Sequence, residues 1–290
     1  MVEHTTLYHR RLQKVIDFIY QNLDQPLDLN RLAEVACMSP YHWHRVYQGI
    51  YGESIVSTVR RLRLQRAAGE LVNSDNEIKQ IAKHSGYSGV HAFNRVFNQH
   101  YGLPPAKYRQ QGSHKDLQLL VNNSLQGSHN MSKQLPVKIV NIDALSFICQ
   151  AHQGSYMDIG NAFEKLFGWV GMQGLFPQLR KTVGIYYDDP GSVAQAELRS
   201  LACIQLQDNL LPILPSPIQV VSIAAGKYAV LQHKGPYSDM QSAYQWLYSV
   251  WLPESGLEIA DQPCFEEYLN NPREVAATEL LTDIYLPLKP

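Results

Sequence analysis

The stretch PCFEEYLNNP, residues 263–272, sets two adjacent carboxylates, Glu266 and Glu267, between aromatic rings. Strand alternation would put Glu266 and Tyr268 on one face and Phe265 and Glu267 on the other. A single carboxylate among rings is a site for a hydrophobic cation. Ring faces attract a desolvated cation by ~2 kcal/mol or more, and a carboxylate tolerates burial when it is paired. Candidate rings are Tyr156, Phe163, Trp169 and Tyr186, with a second set, Tyr237, Tyr244, Trp251 and Tyr268, further along. Any one of them, taken alone, is more often core than cage. Glu266 could instead act as the general acid/base or nucleophile of a hydrolase. That use lacks companions, because no Ser-His-Asp pattern, metal-spaced cluster or phosphate loop accompanies it.

A different chemistry is available in the first 112 residues. Helical spacing puts Trp43, Val46, Tyr47 and Ile50 on a core face and leaves Tyr41, His44, Arg45 and Gln48 on another. Fifty residues on, Phe93, Val96, Phe97 and His100 should face inward, leaving His91, Asn94, Arg95 and Asn98. Arginine bonds guanine O6/N7 and Asn or Gln bonds adenine N6/N7, each pair contributing ~1–3 kcal/mol of discrimination. Val90 or Tyr41 could add apolar contact to thymine methyls. Arg45 and Arg95 have other uses open to them, holding phosphates or intradomain carboxylates. His42 and His44 project about 200° apart on a helix and cannot share an ion, so no metal or cofactor is expected.

The elements that would carry these side chains come in repeats. Leu12, Val15, Ile16, Ile19 and Leu23 mark one helix, stopped at Pro26. Asp28 caps a short helix with Leu32, Ala33 and Ala36, then Ser39 and Pro40 open the first reading helix. Ser74-x-x-Glu77 has the form of a capping box, and a second short helix ends at Gly86 before the second reading helix. The two units match as Leu32/Ile81, Trp43/Phe93, Arg45/Arg95, Val46/Val96 and Gly52/Gly102. Residues 54–73 read as one connecting helix roughly 30 Å long, close to the ~34 Å between successive major-groove faces.

From residue 134 onward a second duplication follows. HQGSYMDI (152–159) is echoed by HKGPYSDM (233–240), and Ala162/Ala243, Phe163/Tyr244, Leu166/Leu247 and Phe167/Tyr248 keep the register. After one inserted residue it resumes with Trp169/Trp251, Gly174/Gly256 and Pro190/Pro272. Seven strand patterns and two helical ones, MDIGNAFEKLFGWVG and SDMQSAYQWLYSVWL, imply two half-domains packed about a pseudo-two-fold axis with a groove between them. Glu266 has no acidic twin, for its counterpart is Gly184.

Residues 8–110, through LAEVACMSPYHWHRVYQGIYGESIVSTVRRLRLQRAAGEL and IKQIAKHSGYSGVHAFNRVFNQHYGLPPAKYR, resemble the AraC/XylS family of bacterial transcription regulators. Gly89 stands where that family often has a serine cap. Residues 134–290, through HQGSYMDI, GIYYDDP, HKGPYSDM, WLPESGL and FEEYLNNP, resemble the GyrI-like small-molecule-binding domain. The order, reading head first, is like that of Rob-type regulators. The resemblances imply double-stranded promoter DNA and RNA polymerase as partners, a pocket for bulky, often cationic aromatic effectors with a glutamate at position 266, and a monomer on DNA. GyrI-like domains also act on partner proteins such as DNA gyrase, which stays open as an alternative.

The bulk numbers agree. Residues 1–112 hold 14 Lys+Arg against 9 Asp+Glu, and residues 133–290 hold 10 against 16, so the basic half is the nucleic-acid candidate. Residues 113–133 are rich in Ser, Asn, Gln and Gly and read as a linker. No signal-peptide pattern and no run of 18 apolar residues is present, and Cys37, Cys149, Cys203 and Cys264 stand apart, as expected of reduced thiols in a cytoplasmic protein. The expectation is a multidomain chain. It comprises an all-α double helix-turn-helix domain (1–112), a linker (113–133) and an α+β duplicated GyrI-like domain (134–290), with no enzymatic activity.

Overall fold

The computed structural model describes residues 2–111, 135–207 and 214–290, with side chains from residue 7 to 110 in the first stretch. The expected linker lies outside the described residues. The chain divides into two compact units, Met1–His129 and Asn130–Pro290.

The first unit is helical: α1 (Val2–Gln21), α2 (Leu29–Ala36), α3 (Trp43–Tyr51), α4 (Ile55–Asn73), α5 (Ile78–His84), α6 (Val90–Tyr101) and α7 (Pro105–Gln111). The α1 stripe of Leu12, Val15 and Ile19 is buried, and the Asp28 carboxylate caps α2 by accepting from the Asn30 amide at 2.9 Å. Ser54 caps α4 through the Ser57 amide. The helix α4 belongs to both repeats. Its Thr58 hydroxyl meets the buried Tyr47 hydroxyl of α3 at 2.8 Å, while Leu64, Ala67, Ala68 and Leu71 pack with Ile81, Ala82, Phe93 and Phe97. The regular part of α3 begins at Trp43, and in the turn that leads into it Ser39 caps as expected, its Oγ accepting from the Tyr41 amide and its carbonyl from the Trp43 amide. The other cap expectation is corrected. Ser74 is the end of α4: its amide and hydroxyl both donate to the Glu70 carbonyl, and Glu77 makes no side-chain cap bond. A serine four residues after a free helical carbonyl is better placed to stop the helix behind it than to start the one ahead.

The second unit is an eight-stranded antiparallel sheet. Its strands are β1 (Val137–Ile142), β2 (Leu145–Gln153), β3 (Leu179–Tyr186), β4 (Arg199–Leu206), β5 (Gln219–Ile223), β6 (Gly226–Lys234), β7 (Cys264–Tyr268) and β8 (Leu281–Leu288). The order across the sheet is β1-β6-β8-β7-β3-β4-β2-β5, which reads as the same series from either edge once each strand is replaced by its repeat twin. The sequence pattern shows seven of these strands and misses β5, a five-residue edge strand behind a proline-rich run. That strand carries the central point of the topology. β1 leaves its own half to pair with β6, and β5 pairs back with β2. The registers correspond: Ile142 faces Gly226, and their twins Ile223 and Leu145 face each other. Each half is completed by a strand of the other.

Helix α8 (Gly160–Met172) covers the first half and α9 (Met240–Trp246) the second. The inserted residue in the second repeat is absorbed by a π-helical turn, Leu247–Trp251, that joins α9 to α10 (Leu252–Ser255). Pro253 in α10 lacks the N–H an α-helix would use there and crowds the carbonyl four residues back, so a wider turn relieves both. The opposite face of the sheet carries Phe147, Cys149, Val183, Ile185, Cys203, Tyr228 and Phe265. Residues of both edge strands, Val140 and Ile142 of β1 and Val221 and Ile223 of β5, pack against them. Such a shared cluster requires the sheet to curl, as in a half-barrel.

The echoed sequence HxGxYxD forms the corner between strand and helix in each half. His152 Nε2 hydrogen-bonds the Ser155 carbonyl at 2.9 Å and His233 Nε2 the Pro236 carbonyl at 3.2 Å. Gly154 and Gly235 take φ of 124° and 136°, which a side chain would resist, and their amides donate to Leu198 and Leu280. These repeated residues therefore build the fold.

Candidate DNA-reading face and carboxylate site

In α3 and the turn before it, Gln48 is exposed and Tyr41 and Arg45 are half-buried. His44 departs from the expectation. It is buried, at 6 % exposure, with its ring edge-on to Trp43 at 6.0 Å. On a helical wheel His44 lies only about 60° from Tyr47, at the border of the core stripe, and the packed surroundings of α3 extend that stripe over it. In α6 and at its start, His91 and Arg95 are exposed and Val90 and Asn94 half-buried. Phe93 and Phe97 are fully buried as expected, but His100 faces outward. In the last turn of α6 it is the next residue, Tyr101, that packs on Phe97, at 4.6 Å between ring centres, and what burial His100 has, with Arg60 and Arg61 nearby, lowers its pKa. Gly89 caps α6 without a side-chain hydrogen bond.

In the second unit Glu266 lies on the helix-covered face of β7, at 7 % exposure. Its partner across the β7–β3 ladder is Gly184, its own repeat twin, so the pseudo-two-fold axis passes through that pair. Tyr244 on α9 donates its hydroxyl to Oε1 at 2.8 Å, and Tyr268 donates to Oε2 at 3.1 Å. The twin tyrosines Tyr186 and Tyr268 meet hydroxyl to hydroxyl at 2.5 Å. Because Tyr268 gives its proton to Glu266, Tyr186 must donate to Tyr268, and such chains polarise and strengthen one another. Gly184 makes the room. A Cβ there would stand 2.6 Å from the Tyr268 hydroxyl and 2.8 Å from that of Tyr186. Burial first, then the Glu266 charge, pushes the Tyr186 phenol well above its ordinary range and shifts Tyr237 the same way, and burial, then Tyr186 and Glu266, does so for Tyr268.

The remaining expected rings divide. Phe163 and Tyr237 pack edge-on against Tyr268 at 5.7 and 5.5 Å, and Tyr156 against Tyr186 at 4.8 Å. Trp169 instead packs with Ile148, Leu166, Val170, Ile204 and Leu206 in the core under α8, and Trp251 is half-buried in the π turn. Tyr248, not among the expected residues, stacks on Tyr244 at 6.5 Å, and its pairing with Phe167 in the repeat was the available signal. Polarity is one-sided: Glu266 and Tyr244 have Gly184 and Phe163 as twins. Among the described residues, no group of three His, Cys, Asp or Glu is placed to hold a metal ion, and no helix is long and apolar enough to cross a membrane.

Residues 135–289 match the GyrI-like small molecule binding domain, and residues 32–111 match the Helix-turn-helix domain. The chain belongs to the GyrI-like family and carries an AraC-type reading head. Three relatives illustrate the two parts. The uncharacterized HTH-type transcriptional regulator YbfP of Bacillus subtilis is 33 % identical over 102 residues, 35 % of this chain and 35 % of that protein. The multiple antibiotic resistance protein MarA of Salmonella typhimurium is 27 % identical over 103 residues, 36 % of this chain and 81 % of MarA. The DNA gyrase inhibitor of Edwardsiella piscicida is 30 % identical over 158 residues, 53 % of this chain and 99 % of its own length. This AraC-type regulator therefore joins a DNA-binding helix-turn-helix domain to a GyrI-like small-molecule-binding domain, and its family is one of transcription regulators rather than enzymes.

Proposed function

We propose that the regulator reads two adjacent major-groove segments with α3 and α6 and answers to a hydrophobic, aromatic cation held at Glu266. The carrying observation is the buried carboxylate on the pseudo-two-fold axis, satisfied by the hydroxyls of Tyr244 and Tyr268 and walled by Phe163, Tyr186 and Tyr237. An approaching cation meets a negative charge and ring faces together, in a unit whose acidic excess draws it in. Base and phosphate contacts fall to Tyr41, Arg45, Gln48, Val90, His91, Asn94 and Arg95. The domain boundaries are 1–112 and 134–290, and the regulator works in the cytoplasm beside RNA polymerase. Coupling between ligand and DNA is of the usual order, about 1–3 kcal/mol.

The test is a pair of titrations on the full chain. Intrinsic fluorescence follows a quaternary aryl ammonium and its uncharged isostere, and duplex anisotropy follows DNA with and without the cation. The cation is expected to bind about 30-fold tighter than the isostere, the equivalent of ~2 kcal/mol, and Glu266→Gln is expected to erase the difference. Equal affinity for both compounds in the unaltered chain would sink the cation reading. The likeness to a protein named for gyrase inhibition favours a second reading, a protein-binding face on the GyrI-like unit. Capture of a partner protein that persists in Glu266→Gln would be its mark.

A further inference from the structure

Arg63 stands ninth in the 19-residue helix α4, close to the midpoint between the two helix-turn-helix units. Its Nε donates to the Leu23 carbonyl at 2.8 Å and its Nη2 to the Gln25 carbonyl at 2.8 Å, both in the connection between α1 and α2. The guanidinium also lies against Gly86, which turns the chain from α5 toward α6 with φ of 76°. A Cβ on Gly86 would stand 2.5 Å from Arg63 Cζ, 2.6 Å from Nε and 2.7 Å from the Leu23 carbonyl oxygen. Partial burial lowers the pKa of Arg63, an effect that Tyr87 and Asp24 oppose in part. One planar cation is thus pinned by the first repeat's supporting turn and flanked by the second repeat's turn.

We propose that Arg63 is a positioning residue that sets the angle between reading helices α3 and α6, and through it the spacing of the two DNA segments the regulator accepts. The inference rests on the reading that both helices dock on DNA. Each lies about 17 Å from a central brace if the two span the ~34 Å groove repeat, so a tilt of about 10° moves a helix by about 3 Å, near one base-pair step. Only a fork of fixed geometry holds two carbonyls while leaving room for the glycine beside it. A lysine keeps the charge and loses the geometry.

The test begins with a random-sequence duplex pool from which the full-length wild type selects its site. Spacers between the two conserved segments are then shortened and lengthened by one base pair. Wild type should prefer its native spacing by at least about tenfold, within the cost of one mismatched step. In Arg63→Lys that ratio should fall below about threefold, with the salt slope unchanged because no phosphate contact is lost. Arg61→Gln breaks the pair between Arg61 of the same helix and Glu53, just before its N-cap, and controls for stability, so its spacing ratio should stay at the wild-type value. Gly86→Ala pushes a methyl group between the guanidinium and the Leu23 carbonyl and should reproduce the broadened spacing. The brace is refuted if Arg63→Lys and Gly86→Ala keep the wild-type ratio, including when both weaken all spacings equally. A selected site with one conserved segment would refute the two-helix reading itself, and the brace with it.

Discussion

Replacing Gly184 with alanine adds one methyl group at the centre of the GyrI-like unit. Gly184 lies outside the left-handed region, so its backbone accepts alanine without strain and the outcome depends on space alone. The new Cβ would meet the Tyr268 hydroxyl at 2.6 Å and the Tyr186 hydroxyl and Cε2 at 2.8 and 2.9 Å. Tolerable contact begins near 3.4 Å, so both ring ends must retreat by several tenths of an ångström. Neither can do so freely, since Tyr156 packs on one ring and Phe163 and Tyr237 on the other. Overpacking costs about 1–3 kcal/mol, and parting the two hydroxyls forfeits about 1 kcal/mol more. At about 2–4 °C per kcal/mol for a unit of this size, calorimetry of the full chain should show the corresponding transition lowered by about 5–15 °C. Cation affinity should weaken with it, because Tyr268 orients Glu266. Gly168 on α8 is the control. A Cβ there meets nothing within 4 Å, and alanine should stabilise the helix by up to about 1 kcal/mol. A Gly184→Ala chain melting within a degree of wild type would mean that the hydroxyl pair has slack and that the glycine is not what admits it.

Two further outcomes follow from buried groups. Burial raises the phenol pKa of Tyr228 to about 12 and those of Tyr186 and Tyr268 well above 10, so the folded state holds these protons more tightly than the unfolded one. Their contribution is complete below pH ~10 and is lost as pH rises through the folded values. Denaturant midpoints should therefore fall steeply between about pH 10 and 12, and a flat profile there would contradict the burial argument. Asp188 Oδ2 accepts the Arg199 amide at 2.7 Å, just as Asn270 Oδ1 accepts the Leu281 amide at 3.0 Å in the other half. Asp188→Asn should stay within about 1 kcal/mol of wild type by urea titration, whereas Asp188→Ala leaves the amide unmet and should cost about 1–3 kcal/mol.

Much of this architecture is legible from residue types, because repeats expose themselves twice. The offset that pairs Tyr156 with Tyr237 and Gly184 with Glu266 identifies the half-domains and the unmatched carboxylate before any coordinates. What the pattern hides is whatever depends on neighbours distant in sequence. β5 is too short and too exposed to alternate convincingly, and the exchange of β1 and β5 leaves no trace in periodicity. His44 and His100 show the same limit in miniature. A helical wheel fixes their angle, but how far the core reaches around α3 or along α6 is decided by what packs there. Ser74 and Glu77 fit a cap by spacing, yet the carbonyl at Glu70 claims the serine first. The rings separate because Trp169, six residues after Phe163, points about 120° away around α8 and packs in the aliphatic cluster with Ile148, Ile204 and Leu206.

The exchanged edge strands also impose an order on synthesis. The helical unit is built from neighbours close in sequence and can compact while the rest of the chain is still on the ribosome. β1 emerges next but faces residues 226–231, so it must wait, with both edges unpaired, for almost a hundred residues to follow. β2 likewise lacks β5 until residue 223 is made. During that interval the nascent chain has its helix-turn-helix domain and no complete GyrI-like domain. A stalled or truncated product would carry the helix-turn-helix domain without a finished small-molecule-binding domain, and its bare strand edges would make it a target for chaperones and proteases before it could accumulate.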